Sequence, residues 1–213
     1  MDIDRQSKIK NRKYLRLRFV TFLTFVRFPL VLLFFAGAVV YANYRRMWLF
    51  ILTLVVLIAS ALTDIFDGFF ARRFNVETKF GAHVDPLMDK LFYLTTLPLL
   101  VFVATKNGHM AHAIFLLVLT LFFLMRDQWV TFLRSIGSIY DASGSANWWG
   151  KLRTCINFPL ICTIYHFEES PRPLINAWFL HFFEIVGFAI NIISLFVYTR
   201  RYWPYLRKSV NDD

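Results

Sequence analysis

Long apolar runs separated by short polar or basic segments restrict the fold of this chain more than any other feature. A helix needs about 20 apolar residues to cross the hydrocarbon core of a bilayer, where it satisfies its own backbone hydrogen bonds. We therefore predict an all-α integral membrane protein with six transmembrane helices. The predicted spans are residues 19–41, 47–70, 85–104, 111–137, 152–167 and 174–198.

The composition supports a membrane location. Of the 213 residues, 57% are hydrophobic and only 18% are charged, which is too apolar for an ordinary soluble domain. Residues 1–18 are basic with scattered apolar side chains, so we predict an N-terminal interfacial amphipathic helix in this juxtamembrane segment. We expect one transmembrane domain at residues 19–199 and a basic cytoplasmic tail at residues 200–213.

The net charge of +10 restricts the partners. Such a charge can indicate a nucleic-acid partner, but here the basic residues flank apolar runs and do not cover a soluble face. We therefore expect membrane lipids and anionic substrates as partners, and no nucleic acid.

A dense group of acids lies where the second apolar run ends. Asp64 and Asp67 share one helix face, and Asp85 and Asp89 share another. Charges at this depth are costly unless they have a partner or a function. If the chain reverses between residues 74 and 80, the two pairs face each other and require cations. Carboxylate oxygens suit hard ions, so we expect Mg²⁺ or Mn²⁺ here, with two ions bound.

A glycine and an arginine accompany these acids. Gly68 removes a side chain next to Asp67, where a ligand can approach the helix backbone closely. Arg72 can bind a phosphate through two hydrogen bonds. A purely structural interpretation is the alternative, in which the acids cap or end helices and Arg72 anchors the chain at the interface. The combination of all these residues at this spacing favours a functional site.

Eight residues of this segment form a pattern with fixed spacing: Asp64, Asp67, Gly68, Ala71, Arg72, Gly81, Asp85 and Asp89. The pattern resembles the signature of the CDP-alcohol phosphotransferase family of integral membrane enzymes. The resemblance implies that Asp64, Asp67 and Asp85 bind the metal ions. It also implies that Asp89 lies at the metal site and is the catalytic base.

The same resemblance implies a binding site for the CDP group. Gly68, Ala71 and Arg72 would surround this group. The first span adds a threonine and an arginine ahead of a proline, which is similar to a pattern in the first helix of the family and implies that Thr24 also belongs to the CDP site. The residues of this second match are Thr21, Thr24, Arg27 and Pro29.

A second set of cations lies between the fourth and fifth spans. Arg126 and Arg134 are about two turns apart on one helix, and Lys151 and Arg153 open the next span. Cations among apolar residues indicate an anionic partner, and clusters of arginine and lysine recognise phosphate. We therefore expect these four residues to bind a phosphate on the acceptor alcohol. For Arg153 alone, a place in the basic flank of the membrane is the alternative.

This part of the chain also contains paired residues of a recurring pattern: Arg126 with Asp127, Leu133 with Arg134, Ser145 with Ala146, and Gly150 and Lys151 with Arg153 and Thr154. The pattern is similar to that of the phosphatidylglycerophosphate synthases within the family. The resemblance implies transfer of the phosphatidyl group of CDP-diacylglycerol to glycerol 3-phosphate, with release of CMP. Asp127 stands where glutamate is usual.

Two other functions remain as alternatives. An arginine–aspartate pair also occurs in cardiolipin synthases, so another acceptor alcohol is one alternative. An ion or metabolite transporter is an alternative from a different class, because intramembrane charges also line transport pathways. The sequence leaves the oligomeric state open, with a homodimer as one possibility.

The distribution of basic residues predicts the orientation in the membrane. With six spans, both termini lie on the same side as the turns after the second and fourth spans, and these segments hold most of the lysines and arginines. Cytoplasmic segments carry this excess. We therefore expect a multi-pass protein of the inner or cytoplasmic membrane whose active site faces the cytoplasm. The acids Glu168 and Glu169 are expected to be solvated in a loop.

Overall fold

The protein consists of long α-helices joined by short connections. A computed structural model describes residues 2–74, 76, 79–142 and 148–211, and within these ranges the side chains of residues 2–10, 12, 13, 79–83, 85 and 151 lie outside the description. The described residues include no β-strand, which confirms the all-α prediction. The helices are α1 (Asp2–Tyr44), α2 (Met47–Phe74), α3 (Lys79–Lys106), α4 (Met110–Ile139), α5 (Trp148–Glu169) and α6 (Ala177–Asn211).

Five helices in the described part of the chain are long and apolar enough to cross a membrane, namely α1, α2, α3, α4 and α6. The protein is therefore an integral multi-pass membrane protein, as predicted. The remaining helix, α5, has 22 residues and is less apolar, because it carries Arg153, Asn157 and His166 among its hydrophobic residues.

The first and last helices are longer than the predicted spans. Helix α1 has 43 residues and joins the predicted interfacial segment to the first span without a break. No glycine or proline lies between residues 2 and 28, so nothing in the local sequence ends the helix there. At 1.5 Å per residue this helix is about 65 Å long, twice the hydrocarbon thickness. Helix α6 likewise continues through most of the predicted basic tail.

The chain forms two compact units, Met1–Thr96 and Leu97–Asp213. In the first unit, α1 and α2 approach closely at Gly37, where an added Cβ would lie 2.7 Å from Cγ2 of Thr53. Only a glycine leaves room for this approach, which is how small residues allow membrane helices to pack. The buried apolar residues of this unit include Val31, Phe34, Ala38, Phe50, Leu57 and Phe92.

In the second unit, α4 buries one face and exposes the other. The buried positions recur at intervals of three or four residues, so they form a single stripe along the helix. Met125 and Phe132, on the other face, are exposed as expected for contact with lipid. The stripe brings Arg126 and Asp127 into the interior of the unit. Its members are Ala113, Leu116, Leu119, Thr120, Phe123, Arg126, Asp127, Val130, Leu133 and Gly137.

Candidate functional site

Three of the predicted acids meet around a buried arginine in the first unit. Nη2 of Arg27 lies 2.5 Å from Oδ1 of Asp64 and 2.9 Å from Oδ2 of Asp67. Nη1 of the same side chain lies 3.0 Å from Oδ1 of Asp89. The structure thus brings together acids from α2 and α3 that are far apart in the chain, and α1 supplies the cation between them.

The burial of these side chains is graded. The side chains of Arg27 and Asp67 are 1% and 5% exposed, whereas those of Asp64 and Asp89 are 15% and 35% exposed. Buried charges are costly unless they are paired, and one arginine offsets only one of the three carboxylates. With all three ionised, the four side chains have more negative than positive charge. This donor set, made of hard carboxylate oxygens, therefore fits divalent cations.

Two residues predicted for the CDP site lie in different environments, since Thr24 is buried and Arg72 is exposed. Thr24 is buried, and its hydroxyl donates to the carbonyl oxygen of Val20 one turn earlier in α1, at 3.3 Å. Arg72 is exposed, and its Nη1 and Nη2 lie 3.7 and 3.8 Å from where a Cβ on Gly68 would be. The guanidinium of Arg72 thus lies beside Gly68 along α2, at a distance where an added Cβ would make ordinary contact with it.

Two predicted positions are described less completely. Asp85 lies in α3 one turn before Asp89, but its side chain is outside the described residues. Gly81 lies one turn earlier in the same helix, and its surroundings are also outside the described residues. Ala71 is half-buried on α2. The predicted fourth carboxylate thus belongs to the same helix as Asp89, and its role stays a prediction.

A second charged network lies inside the second unit. Nη1 of Arg126 and Nη2 of Arg153 lie 3.0 and 2.8 Å from the same oxygen, Oδ1 of Asp127. Nε of Arg153 donates to Oδ1 of Asn191 at 2.7 Å. Nη2 of Arg126 donates to Oγ of Ser194. Helices α4, α5 and α6 all contribute to this network, and Arg153 is buried within it and not solvated at the membrane flank.

Tyr198 connects this network to Arg134. The guanidinium carbons of Arg126 and Arg134 lie 5.3 and 5.1 Å from the centre of the Tyr198 ring. Arg134 also donates to the Tyr198 hydroxyl at 2.9 Å. Gly150 packs against the same hydroxyl, since a Cβ there would lie 2.8 Å from it. The side chain of Lys151 lies outside the described residues.

The network has donor capacity left for an anion. Three arginines and one aspartate leave an excess of positive charge among Arg126, Arg134, Arg153 and Asp127. Among the described residues, the buried Nε atoms of Arg126 and Arg134 have no hydrogen-bond partner. Buried donors of this kind are costly to leave unpaired. This arrangement can therefore accept the oxygens of a phosphate.

Sequence reasoning missed the contribution of α6. Asn191, Ser194 and Tyr198 are buried on one face of this helix and hold the arginines. Their spacing of three and four residues was the available signal, because a polar stripe inside a membrane helix faces protein and not lipid.

The expectation that Glu168 and Glu169 are solvated is wrong. They are only 5% and 2% exposed at the end of α5. Glu168 is drawn inward by hydrogen bonds from side chains at the start of α4, including His112 at 2.6 Å.

The sequence matches the model of one protein family over most of its length. A model of the CDP-alcohol phosphatidyltransferase family matches residues 19–197. This range includes the four aspartates of the predicted metal site and the three arginines of the network in the second unit. The match therefore extends over both charged clusters.

Several relatives carry the name CDP-diacylglycerol--glycerol-3-phosphate 3-phosphatidyltransferase. The protein from Cereibacter sphaeroides is 30% identical over 52% of this chain and 49% of its own length. The protein from Haemophilus influenzae is 32% identical over 49% of this chain and 54% of its own length. The protein from Bacillus subtilis is 27% identical over 73% of this chain and 75% of its own length. The chain thus spans about half the length of the first two relatives.

Proposed function

Because this chain belongs to the CDP-alcohol phosphatidyltransferase family, we propose that it transfers the phosphatidyl group of CDP-diacylglycerol to glycerol 3-phosphate and releases CMP. The names of its relatives supply the substrates. The observation that carries the proposal is the meeting of Asp64, Asp67 and Asp89 around Arg27, since these acids belong to the family pattern.

The aspartates would hold the divalent cations of the reaction. Asp64, Asp67, Asp85 and Asp89 offer only carboxylate oxygens, the donors that Mg²⁺ and Mn²⁺ prefer, and two ions fit this number of carboxylates. Bound cations of this type offset the charge of the CDP pyrophosphate and make CMP a better leaving group.

Asp89 is the best placed of these acids to act as the catalytic base. Its side chain is the most exposed of the three described carboxylates, so a substrate hydroxyl can reach it. A hydroxyl oxygen of glycerol 3-phosphate would form a bond to the phosphorus of the phosphatidyl group, while the bond from that phosphorus to CMP breaks. The hydroxyl proton would pass to the carboxylate of Asp89.

The two substrates would be bound by different residues. The CDP group would contact Thr24, Gly68, Ala71 and Arg72, of which Arg72 is an exposed cation able to bind phosphate. The phosphate of the acceptor would be bound by Arg126, Arg134 and Lys151, with Arg153 as a further cation in this set.

Within the arginine network, one residue has a structural contribution as well. Arg153 would act in part by holding Asp127, which in turn orients Arg126.

We also propose that the active site faces the cytoplasm, in the inner or cytoplasmic membrane, because the basic segments lie on that side of the predicted topology.

One assay tests this function. Purified protein is given CDP-diacylglycerol and Mg²⁺, and CMP release is measured with glycerol 3-phosphate or phosphatidylglycerol as acceptor. We expect release with glycerol 3-phosphate, loss of release with EDTA, and recovery with Mg²⁺ or Mn²⁺. Better use of phosphatidylglycerol would instead favour the cardiolipin synthase alternative, and no release with any acceptor would favour the transporter.

The same assay tests the residues. Asp67→Asn should abolish CMP release, and Asp89→Asn should lower kcat by roughly 10²- to 10⁴-fold, the usual contribution of a general base. Asp141→Asn is the matched control, because Asp141 is exposed and has a φ of 53°, which asparagine tolerates well. Normal activity of the Asp67→Asn protein would refute the metal assignment.

A further inference from the structure

Two buried glutamates lie at one end of the second unit, away from the arginine network. The side chains of Glu168 and Glu184 are both 0% exposed. His112, near the start of α4, lies between them. Its Nδ1 is 2.6 Å from Oε1 of Glu168, and its Nε2 is 2.7 Å from Oε1 of Glu184. One imidazole ring thus bridges the end of α5 and the start of α6.

Each glutamate has a second histidine at its other oxygen. Nδ1 of His109 lies 2.9 Å from Oε2 of Glu168. Nδ1 of His181 lies 2.9 Å from Oε2 of Glu184. The side chains of these two outer histidines are equally exposed, at 53%. The cluster is therefore nearly symmetrical, with a ring that is only 9% exposed in the middle and an exposed ring on each side.

The positive charge in this cluster is incomplete. Among the described residues, the side chains that contact the two glutamates are imidazoles and one amide, and none is a lysine or an arginine: His109, His112, His181 and Asn107. A neutral imidazole has a single N–H, so neutral His112 can donate to only one of its two carboxylates. The contact with the second glutamate requires an extra proton, on His112 or on the glutamate itself, or a metal ion.

Three of these residues have the arrangement of a metal site. The ligand atoms of His112, His181 and Glu184 all lie within 4.8 Å of one another. Two ligands of a tetrahedral zinc ion, bound at about 2.0 to 2.2 Å, are about 3.3 Å apart. The side chain of His181 is 53% exposed and so has room to rotate toward this spacing.

We propose that His112, His181 and Glu184 bind a zinc ion, separate from the divalent cations of the phosphatidyl-transfer reaction. In this site Nε2 of His112 coordinates the metal, and Nδ1–H donates to Glu168. Histidine ligands of zinc typically donate their other N–H to a carboxylate in this way, which fixes the ring and its tautomer. Glu168 therefore has a defined role as the residue that orients His112.

The position of the cluster separates it from the phosphate-binding arginines. His112 precedes Arg126 by 14 residues on α4, which corresponds to about 21 Å along the helix axis. The ligand types differ from those of the aspartate cluster as well. Imidazole nitrogen favours zinc over Mg²⁺ or Mn²⁺, whereas an all-carboxylate site favours the hard ions.

A cleft of about 790 Å³ adjoins the cluster and includes His112, His181 and Glu184 in its lining. Its lining also includes Gly108, Met110, Phe167 and Ile185. The cleft gives an ion access to the three ligands. It also leaves the fourth coordination position to water, since the protein supplies three ligands. The bound zinc would link the start of α4 to the start of α6.

Cobalt provides a spectroscopic test that does not depend on catalysis. Full-length protein in detergent is stripped with a chelator, supplied with excess Mg²⁺ to fill the carboxylate site, and titrated with Co²⁺. Tetrahedral Co²⁺ with nitrogen ligands absorbs strongly in the visible range, whereas Co²⁺ bound only by oxygen in six-coordinate sites absorbs weakly. We expect a strong band that saturates at one equivalent and disappears when Zn²⁺ is added.

The two outer histidines supply a matched pair of variants. His181→Gln removes a ligand and should weaken Co²⁺ binding at least tenfold, whereas His109→Gln should bind as the wild type does. Both residues are equally exposed and each contacts one buried glutamate, so the substitutions carry a similar risk to folding. His181→Asn provides a second substitution at the same exposed position.

Three results would overturn the proposal. Absence of the band in the wild type would mean that protonated histidines alone balance the glutamates. Equal binding by the wild type and His181→Gln would place the metal elsewhere. Loss of binding in both His181→Gln and His109→Gln would contradict the three-ligand set. None of these results depends on the proposed phosphatidyl transfer, which is measured separately by CMP release.

Discussion

Arg27 provides the counter-charge on which the aspartate cluster depends. Its guanidinium contacts Asp64, Asp67 and Asp89 from a position that is 1% exposed. Removing several carboxylates from water is costly, and a single arginine offsets only part of that cost. With all three acids ionised, these four side chains together carry a net negative charge. In the proposed function, divalent cations would offset this charge and leave coordination positions for a substrate phosphate.

At the residue scale, one prediction separates the acceptor site from the donor site. If Arg134 binds the acceptor phosphate, Arg134→Gln should raise the KM for glycerol 3-phosphate about tenfold to hundredfold. A lost hydrogen bond to a charged group costs roughly 1.5 to 3 kcal/mol, which corresponds to that change. The KM for CDP-diacylglycerol should change little. Steady-state CMP release, with each substrate varied in turn, measures both constants.

Arg72→Gln should give the reverse pattern and impair use of the nucleotide lipid. The control is Arg207→Gln, which removes one positive charge from an exposed position on α6. A similar rise in both KM values for Arg134→Gln would contradict the assignment, because it would point to a general loss of structure around Tyr198.

The sequence was sufficient to identify the aspartates, since spacing alone places Asp64 with Asp67 and Asp85 with Asp89. It was not sufficient to identify their partner. The contact between Arg27 and these acids depends on how α1 packs against α2 and α3, which helical periodicity does not specify. The same limitation applies to Asn191 and Tyr198, whose contacts with the arginines arise only when α6 packs against α4 and α5.

At the scale of helices, Gly37 determines how closely α1 and α2 approach. A Cβ at this position would lie 2.7 Å from Thr53, so Gly37→Ala must displace the Thr53 side chain or push the two helices apart. We expect a loss of about 1 to 3 kcal/mol in stability, the usual cost of overpacking. The activity should fall as well, because α1 carries Arg27 and α2 carries the first acids. Thermal unfolding in detergent and CMP release measure the two effects.

Ala36→Val is the control for this substitution. Ala36 is the exposed neighbour of Gly37, so extra methyl groups there extend away from the helix contact. We expect a change near zero in both measurements. Equal destabilisation by Ala36→Val and Gly37→Ala would show that the close approach is not what the glycine provides.

Helix ends were the least predictable part of the fold. The predicted sixth span begins at residue 174, whereas α6 begins at Ala177. The side chain of Asn176 accepts a hydrogen bond from the backbone N–H of Trp178 at 2.8 Å, as an N-cap does. Hydropathy detects apolar residues but not caps, so it overestimates this helix at its start. It underestimates α1, because basic residues are good helix formers and continue the helix beyond the apolar run.

At the scale of the whole molecule, the two compact units carry charged centres of opposite sign. The aspartates of the first unit offer carboxylate oxygens suited to cations, and the arginines of the second unit have hydrogen-bond donors left for an anion. Both substrates of the proposed reaction are anions: the phosphate of the acceptor would bind the arginines directly, whereas the pyrophosphate of the nucleotide lipid would approach the aspartates through the divalent cations. This complementarity is the whole-molecule argument for the proposed substrates over an acceptor without a phosphate.

The predicted topology can be tested with single cysteines. Cys155 and Cys162 are first replaced by alanine, and one cysteine is then introduced in place of Leu174, Val210 or Trp148, which are 89%, 71% and 66% exposed. With six spans, residue 174 lies outside the cell and residues 148 and 210 lie inside. A membrane-impermeant maleimide applied to intact cells should therefore label only the Leu174→Cys protein.

The Trp148→Cys protein provides the decisive comparison, because α5 is the one helix among those described that is not apolar enough to qualify as a span by composition. If α5 crosses the membrane, its start and end are on opposite sides, and Trp148→Cys reacts only after the cells are permeabilised. Labelling of both Trp148→Cys and Leu174→Cys in intact cells would mean that α5 does not cross. Labelling of both Trp148→Cys and Val210→Cys, without Leu174→Cys, would reverse the orientation and place the aspartates on the outer face, which would contradict the proposed cytoplasmic active site.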